Sequence, residues 1–229
     1  MSDWNTLLVE QEGPILWVRI NRPEVMNAYT NEMGSELVRA FAVVDADDSI
    51  GVVVLTATGR VFCAGADVSA GAGAFDTQSG EGAKNFGARG DGTRADSNFI
   101  AAMMHCRKPS LVAFNGSAAG VGLTLTLPCD IRIAAKSALF ACSFIKVGIV
   151  PGDGGAWALQ QVLGYAKAAE LFFTGDRFDA DTAKELGLVS QVVEDDQLMD
   201  AALAMAERIV CNPPRALRLT KRLLREAQH

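Results

Sequence analysis

Histidine is scarce in this chain of 229 residues, where it occurs only as His105 and His229. A Ser-His-Asp triad, or a metal site with several imidazole ligands, therefore has few residues to draw on, and we predict no metal ligands. The five cysteines are an odd number and include no Cys-x-x-Cys pair. They indicate neither a disulfide framework nor a zinc site, and they favour a reduced, cytoplasmic protein.

Long apolar runs and an excess of positive charge are also missing. No stretch of about 18 apolar residues occurs, so the sequence predicts no membrane span, and the N-terminus has no signal-peptide pattern. Lys and Arg number 21 against 27 Asp and Glu, which gives a net charge of −6. This balance disfavours a nucleic acid or an anionic membrane as the partner. A small anionic ligand stays compatible, because it needs only a local positive potential.

What the chain does contain is a pattern of strands alternating with helices. Three apolar, β-branched runs predict strands buried on both faces, at residues 51–56, 110–114 and 130–134. Helical periodicity occurs at residues 30–45, 97–106 and 120–127. This alternation predicts an α/β fold with a mostly parallel sheet. We divide the chain into an α/β core over residues 1–165 and a helical region over residues 166–229, which together form one functional unit.

Residues 69–96 interrupt this pattern with seven glycines and few apolar side chains. Long loops of this kind inside a domain are either lids over a functional site or disordered segments, and the sequence leaves both open.

Two segments of small residues, 55–67 and 111–124, each follow a predicted buried strand. The first N–H groups of a helix have no partner within the helix, and small side chains let a carbonyl oxygen approach them. Two such N–H groups facing one point would form an oxyanion hole. Close packing of a helix on a sheet would also explain small residues at these places, so both interpretations stay open.

A set of motifs resembles the enoyl-CoA hydratase/isomerase (crotonase) superfamily. The motifs include Asn21-Arg-Pro-x-x-x-Asn-Ala28, Phe62-Cys-Ala-Gly-Ala-Asp67, Asn115-Gly-x-Ala-x-Gly-x-Gly122 and Gly148-Ile-Val-Pro-Gly-Asp-Gly-Gly155. The resemblance implies a spiral of repeated ββα units, a CoA thioester as substrate with no separate cofactor, and a homotrimer or a dimer of trimers. Most members of the family continue beyond the equivalent of His229, so we expect the helical C-terminal region to be truncated.

The resemblance also implies site residues. The two backbone amides that hold a thioester enolate in this family fall at Ala66 and Val121, where the family usually has glycine at the second place. The adenine end of CoA is expected near the segment that carries Ala64 and Ala66. The predicted substrate-binding residues are Arg22, Met26, Ala28, Ala64, Gly65, Asp67, Gly120, Thr124 and Phe144.

The two glutamates of the similar hydratases fall at Thr124 and Phe144 in this chain, and neither side chain can act as a general base. Isomerase or hydrolase chemistry is therefore open. Asp153 is the remaining candidate acid/base, either as a catalytic group or as a helix cap. The β-diketone hydrolases resemble this chain at Asp153 but pair that aspartate with a histidine at the place of Phe144. A non-catalytic CoA-thioester-binding or structural subunit is the alternative function.

Overall fold

A computed structural model describes residues 4–69, 71 and 99–227 of the chain. Most of the glycine-rich stretch at residues 69–96 lies outside the described residues, so the choice between lid and disordered segment stays open there.

The larger of two sheets in the described residues has six strands. In spatial order they are β1 (Leu7–Glu12), β2 (Ile15–Ile20), β3 (Val52–Ala57), β5 (Ser110–Phe114), β7 (Ile131–Ala135) and β10 (Gln191–Val193). β1 is antiparallel to β2, and every other neighbouring pair is parallel. β3 and β5 are buried along their whole length, as their continuous apolar sequences predict.

The second sheet consists of four short strands, and the first three of them each begin soon after a strand of the first sheet ends. Its order is β4 (Val61–Cys63), β6 (Ser117–Ala119), β8 (Leu139–Ala141) and β9 (Arg177–Asp179). Aromatic rings join the two sheets. The ring of Phe114 in β5 of the larger sheet lies 4.8 Å from that of Phe62 in β4 and 5.0 Å from that of Phe140 in β8, centroid to centroid. All three rings are fully buried, so they fix the second sheet against the first.

Eight α-helices lie among the described residues: α1 (Asn31–Ala46), α2 (Phe99–His105), α3 (Val121–Thr124), α4 (Gly155–Leu163), α5 (Tyr165–Thr174), α6 (Ala180–Glu185), α7 (Leu198–Val210) and α8 (Pro214–Glu226). Thr30 caps α1, because its hydroxyl accepts a hydrogen bond from the N–H of Met33 at 3.3 Å. None of these helices is long and apolar enough to cross a membrane.

The helix predicted over residues 120–127 is shorter in the structure. α3 ends at Thr124, and the chain continues in tighter turns with hydrogen bonds between residues three apart, such as Thr126 N to Leu123 O at 3.1 Å. This tightening directs the chain into β7 within a few residues.

The helical C-terminal region predicted from the sequence is present and packs on the same core. Leu198, Ala202 and Ala206 of α7 are buried against the larger sheet. The division at residue 165 stays a prediction, and two strands from the C-terminal side, β9 and β10, pair with strands of the N-terminal side.

Candidate functional site

The backbone around Ala66 is held by hydrogen bonds on one side. Tyr29 donates its N–H to the carbonyl of Gly65 at 2.8 Å, and it accepts from the N–H of Asp67 at 3.0 Å. This pattern is a parallel bridge between Tyr29 and Ala66. Since successive N–H groups of an extended chain point to opposite sides, the N–H of Ala66 points away from Tyr29.

Val121 is the first residue of α3. It follows Gly120, whose φ of 52° is a conformation that favours glycine, and the N–H of Gly120 is fixed to the carbonyl of Ala141 in β8 at 2.9 Å. The N–H of Val121 belongs to the first turn of α3, where the helix itself supplies no acceptor. Within the described residues, no acceptor is recorded for the N–H of either Ala66 or Val121.

The segments that carry these two amides touch each other backbone to backbone. A β-carbon on Gly65 would lie 3.2 Å from the carbonyl oxygen of Ala119. A β-carbon on Gly122 would lie only 2.4 Å from the carbonyl oxygen of Cys63, closer than real contacts allow. Glycine at both places therefore brings the loop after β4 against the start of α3. Two outward amides on adjoining segments are an arrangement that can hold a developing oxyanion.

Arg22 ties the turn that precedes α1 to this loop. Its Nη1 donates to the carbonyl of Ala28, and its Nη2 donates to Asp67 Oδ2 at 3.0 Å. Within the same turn Met26 is half exposed and Ala28 is buried. Two N–H groups of the Arg22 guanidinium are thus hydrogen-bonded within the protein. The role of Arg22 in substrate binding stays a prediction.

The charge of Asp67 is stabilised within the loop. Burial would raise the pKa of its carboxyl, but hydrogen bonding with Ser69 and the guanidinium of Arg22 outweigh burial and hold the pKa below its usual value. The N–H of Ser69 donates to Asp67 Oδ1 at 3.1 Å. Asp67 is therefore an anion that closes the loop directly after Ala66.

Thr124 and Asp153 are brought together although 29 residues separate them in the sequence. The hydroxyl of Thr124 donates to Asp153 Oδ2, and the N–H of Gly155 donates to Asp153 Oδ1 at 2.9 Å. Thr124 is fully buried, whereas Asp153 is half-buried before α4. The helix α4 begins after Gly154 without a side-chain cap, so Asp153 lies before the N-cap position.

Phe144 forms an apolar side of the same region. It is buried, its ring centroid lies 6.1 Å from that of Phe172, and its Cζ lies 4.0 Å from where a β-carbon of Gly120 would be. The neighbouring Cys142 is fully buried, and its burial together with the charge of Asp153 raises the pKa of its thiol to about 12. The thiol therefore stays protonated at neutral pH and is no nucleophile.

Two large clefts among the described residues lie along α8. One, of about 700 Å³, separates α8 from the ends of α1 and α2, and the other, of about 630 Å³, separates α8 from α4 and β7. None of the predicted site residues lines either cleft. The described residues also include no group of three His, Cys, Asp or Glu side chains that could hold a metal ion.

Two residues of the site were not singled out from the sequence. Tyr29 aligns Ala66 through backbone groups, which leave no signal in the side-chain pattern. Asn27 donates from Nδ2 to the carbonyls of Thr58 at 2.8 Å and Val61 at 2.7 Å. Its φ of 54° is a conformation that asparagine tolerates better than most residues, so its position in a turn after Pro23 was the available signal.

The chain is similar to known proteins in sequence. The model of the family described as Enoyl-CoA hydratase/isomerase matches residues 10–229. The chain is 35% identical over 222 residues to 1,2-epoxyphenylacetyl-CoA isomerase of Escherichia coli, a match that covers 97% of this chain and 82% of that protein. It is also 35% identical over 221 residues to short-chain-enoyl-CoA hydratase of Clostridium acetobutylicum, covering 96% of this chain and 81% of the relative.

The fold is likewise similar to that of solved structures. An enoyl-CoA hydratase/isomerase from Pseudoalteromonas atlantica superposes with a TM-score of 0.84 at 36% identity, over 97% of this chain and 84% of that one. The arrangement of two sheets and surrounding helices is thus the arrangement of that structure.

Proposed function

Because the chain belongs to the enoyl-CoA hydratase/isomerase family, we propose that it holds the enolate of an acyl-CoA thioester with the backbone amides of Ala66 and Val121. The observation that carries the proposal is the pair of outward N–H groups on interlocked segments, for which no acceptor is recorded among the described residues. Preorganised donors of this kind stabilise the charge that develops on a thioester oxygen.

Asp153 is the group proposed to move the proton. Its carboxylate is tied to Thr124, and Thr124 lies three residues after Val121 on α3, which places the two positions on one face of that helix. A carboxylate accepts the α-proton, and the electron pair of the C–H bond moves toward the carbonyl to form the enolate. The proton then returns from Asp153 to the γ-carbon, so the double bond moves and no other reactant is needed.

Isomerisation is favoured over hydration. The Escherichia coli relative is named an isomerase and the Clostridium relative a hydratase, so similarity supports either reaction. Hydration requires a water held and activated by general bases, and the resemblance implies that Thr124 and Phe144 replace the glutamates of the similar hydratases. The buried ring of Phe144 also leaves an apolar surface at that place.

The test measures proton transfer with a 3-enoyl-CoA in deuterated buffer. Appearance of the conjugated 2-enoyl thioester gives the rate, and deuterium in the product gives the share of protons that exchange with solvent while Asp153 carries them. Val121→Pro removes one amide donor at the first helical position, where proline is well tolerated, and Val121→Ala keeps the donor as the matched control. We expect Val121→Pro to lose at least about a hundredfold in rate, and Val121→Ala to keep most of it.

Full proton transfer by Val121→Pro would contradict the role of that amide. Binding of acyl-CoA by the wild type without turnover of any thioester would instead favour the non-catalytic alternative. Two further expectations rest on the resemblance: a homotrimer or dimer of trimers, which sedimentation would measure, and a cytoplasmic location.

A further inference from the structure

Two buried threonines lie close together in the segment that begins with α3, and their hydroxyls are used differently. Thr126 donates to the backbone carbonyl of Leu123 at 2.7 Å. Thr124 lies 3.4 Å from the carbonyl oxygens of both Gly120 and Val121, beyond the usual range for an O–H donor, and instead donates to Asp153. Both side chains are fully buried. Thr124 therefore makes a contact that the fold of α3 does not require.

The approach of Thr124 to Asp153 depends on Gly155. A β-carbon on Gly155 would lie 2.3 Å from Cγ2 of Thr124 and 2.8 Å from Oδ1 of Asp153, so any larger residue would separate the two. The N–H of Gly155 donates to that same Oδ1 at 2.9 Å. Each carboxylate oxygen thus accepts one hydrogen bond from a fixed donor, which sets the plane of the carboxyl group.

We propose that Thr124 is a positioning residue, which orients the carboxylate of Asp153 relative to the amide of Val121 and does not itself contact the acyl chain. This inference rests on the proposed function. Its basis is that Thr124 is completely shielded, that its hydroxyl is directed to Asp153, and that α3 carries both Thr124 and Val121. One short helix thereby fixes the distance between the oxyanion donor and the proton acceptor.

Loss of the Thr124 hydroxyl should affect the rate of proton transfer more than the binding of the substrate. Without the hydroxyl, the carboxylate of Asp153 keeps only the hydrogen bond from Gly155 and can turn about its Cβ–Cγ bond. Misplacement of a reacting group by about 1 Å costs on the order of a hundredfold in rate. In this proposal Asp153 acts on the α- and γ-carbons and not on the CoA portion, so we expect affinity for the thioester to change little.

The experiment compares Thr124→Val, Thr124→Ser and the control Thr126→Val in the full chain. Conversion of a 3-enoyl-CoA to the conjugated 2-enoyl thioester gives kcat and KM, and calorimetry gives the affinity for acetyl-CoA. We expect Thr124→Val to lower kcat about tenfold to a hundredfold, with KM and affinity changed by less than about threefold. Thr124→Ser, which keeps the hydroxyl, restores kcat, and Thr126→Val leaves kcat unchanged although it also removes a buried hydroxyl.

The outcomes separate this inference from the proposed function. A wild type that transfers no α-proton overturns both. A wild type that is active and depends on Asp153, shown by loss of activity in Asp153→Asn, while Thr124→Val keeps full kcat, overturns the role of Thr124 alone. Thermal unfolding of each variant shows whether it folds, and if Thr124→Val does not, the comparison of Thr124→Ala with Thr124→Ser decides. Equal kcat in those two variants overturns the inference.

Discussion

Arg22 and Asp67 form an ion pair at 3.0 Å between two loops that are 45 residues apart in the sequence. The side chains are only 20% and 8% exposed, so water screens the pair weakly. Arg22 also donates to the carbonyl of Ala28, one residue before Tyr29. The pair therefore connects the turn before α1 to the loop that carries Ala66, on the side where Tyr29 holds that loop.

The substitution Asp67→Asn is expected to lower the free energy of unfolding by about 1–3 kcal/mol, because it leaves the shielded guanidinium of Arg22 without a charged partner. Activity on acyl-CoA falls as well, since the Ala66 amide loses support. Chemical denaturation and turnover measure the two effects. The control is Asp176→Asn, whose partner Lys146 is solvent-exposed, and it should change stability by less than about 0.5 kcal/mol. Equal losses of stability in the two variants would contradict the stabilising role of the Arg22–Asp67 ion pair.

The stability of the protein should depend on pH through Asp67. The carboxyl has a pKa below its usual value in the folded state, because hydrogen bonding with Ser69 and the charge of Arg22 outweigh burial. Such a group adds stability above the ordinary aspartate pKa of about 3.9 and loses it as the pH falls through the folded value. The difference in unfolding free energy between wild type and Asp67→Asn should therefore be constant from pH 7 to about pH 5 and shrink below about pH 4. If the difference grew as the pH fell, the pKa of Asp67 in the folded protein would not be lowered.

Elements with a complete local signal were predictable from the sequence. The strand β5 (Ser110–Phe114) has the predicted bounds because it is a continuous buried run, and the helix α1 (Asn31–Ala46) lies within one residue of the predicted range 30–45 because its helical periodicity is clear. The strands of the second sheet are only three residues long, as in β4 and β6. Three residues cannot show an alternation of apolar and polar side chains, so periodicity alone did not locate them.

The sequence predicts individual residues of the candidate site but not the contacts between distant segments. The order of the motifs predicts Ala66 and Val121 as oxyanion donors through resemblance, and that role stays a prediction; the structure shows that the segments carrying them touch. The pairing of Thr124 with Asp153 depends on how α3 meets the loop before α4, a contact that no local pattern encodes. Helix threonines often hydrogen-bond to their own backbone, so the sequence gives no sign that the Thr124 hydroxyl reaches Asp153.

Gly122→Ala should separate the two segments that carry the proposed oxyanion donors. The added methyl group would meet the carbonyl oxygen of Cys63 at 2.4 Å, and backbone cannot move aside as a side chain can. We expect a loss of stability of about 1–3 kcal/mol and a larger loss of turnover. Gly152→Ala is the control, because its nearest neighbour would be 4.0 Å away. Unchanged turnover in Gly122→Ala would show that the close contact is not needed.

The five cysteines should differ sharply in reactivity. Burial raises the pKa of the thiols of Cys63 and Cys142 to about 12 and that of Cys129 to about 11, and it also raises the pKa of Cys106. Cys211 is exposed. Since the thiolate is the reactive form, one thiol per chain should react quickly with a disulfide reagent in the native state and all five after denaturation. Fast reaction of two or more native thiols would contradict the buried environments.

Phe144 is expected to limit the size of the acyl group, because its ring lies against Gly120, the residue before the Val121 amide. The Cζ of Phe144 is 4.0 Å from the position of a β-carbon on Gly120, and the ring packs at 46° against Phe172. Phe144→Leu should raise kcat/KM for a phenylacetyl-type thioester relative to a short straight-chain one by about tenfold, the effect of roughly one methylene in an apolar pocket. Phe172→Leu removes the other ring of the same pair without changing the group beside Gly120, so it should leave the ratio nearly unchanged. A similar change of the ratio in both variants would mean that loosened packing, and not the space beside Gly120, sets the preference.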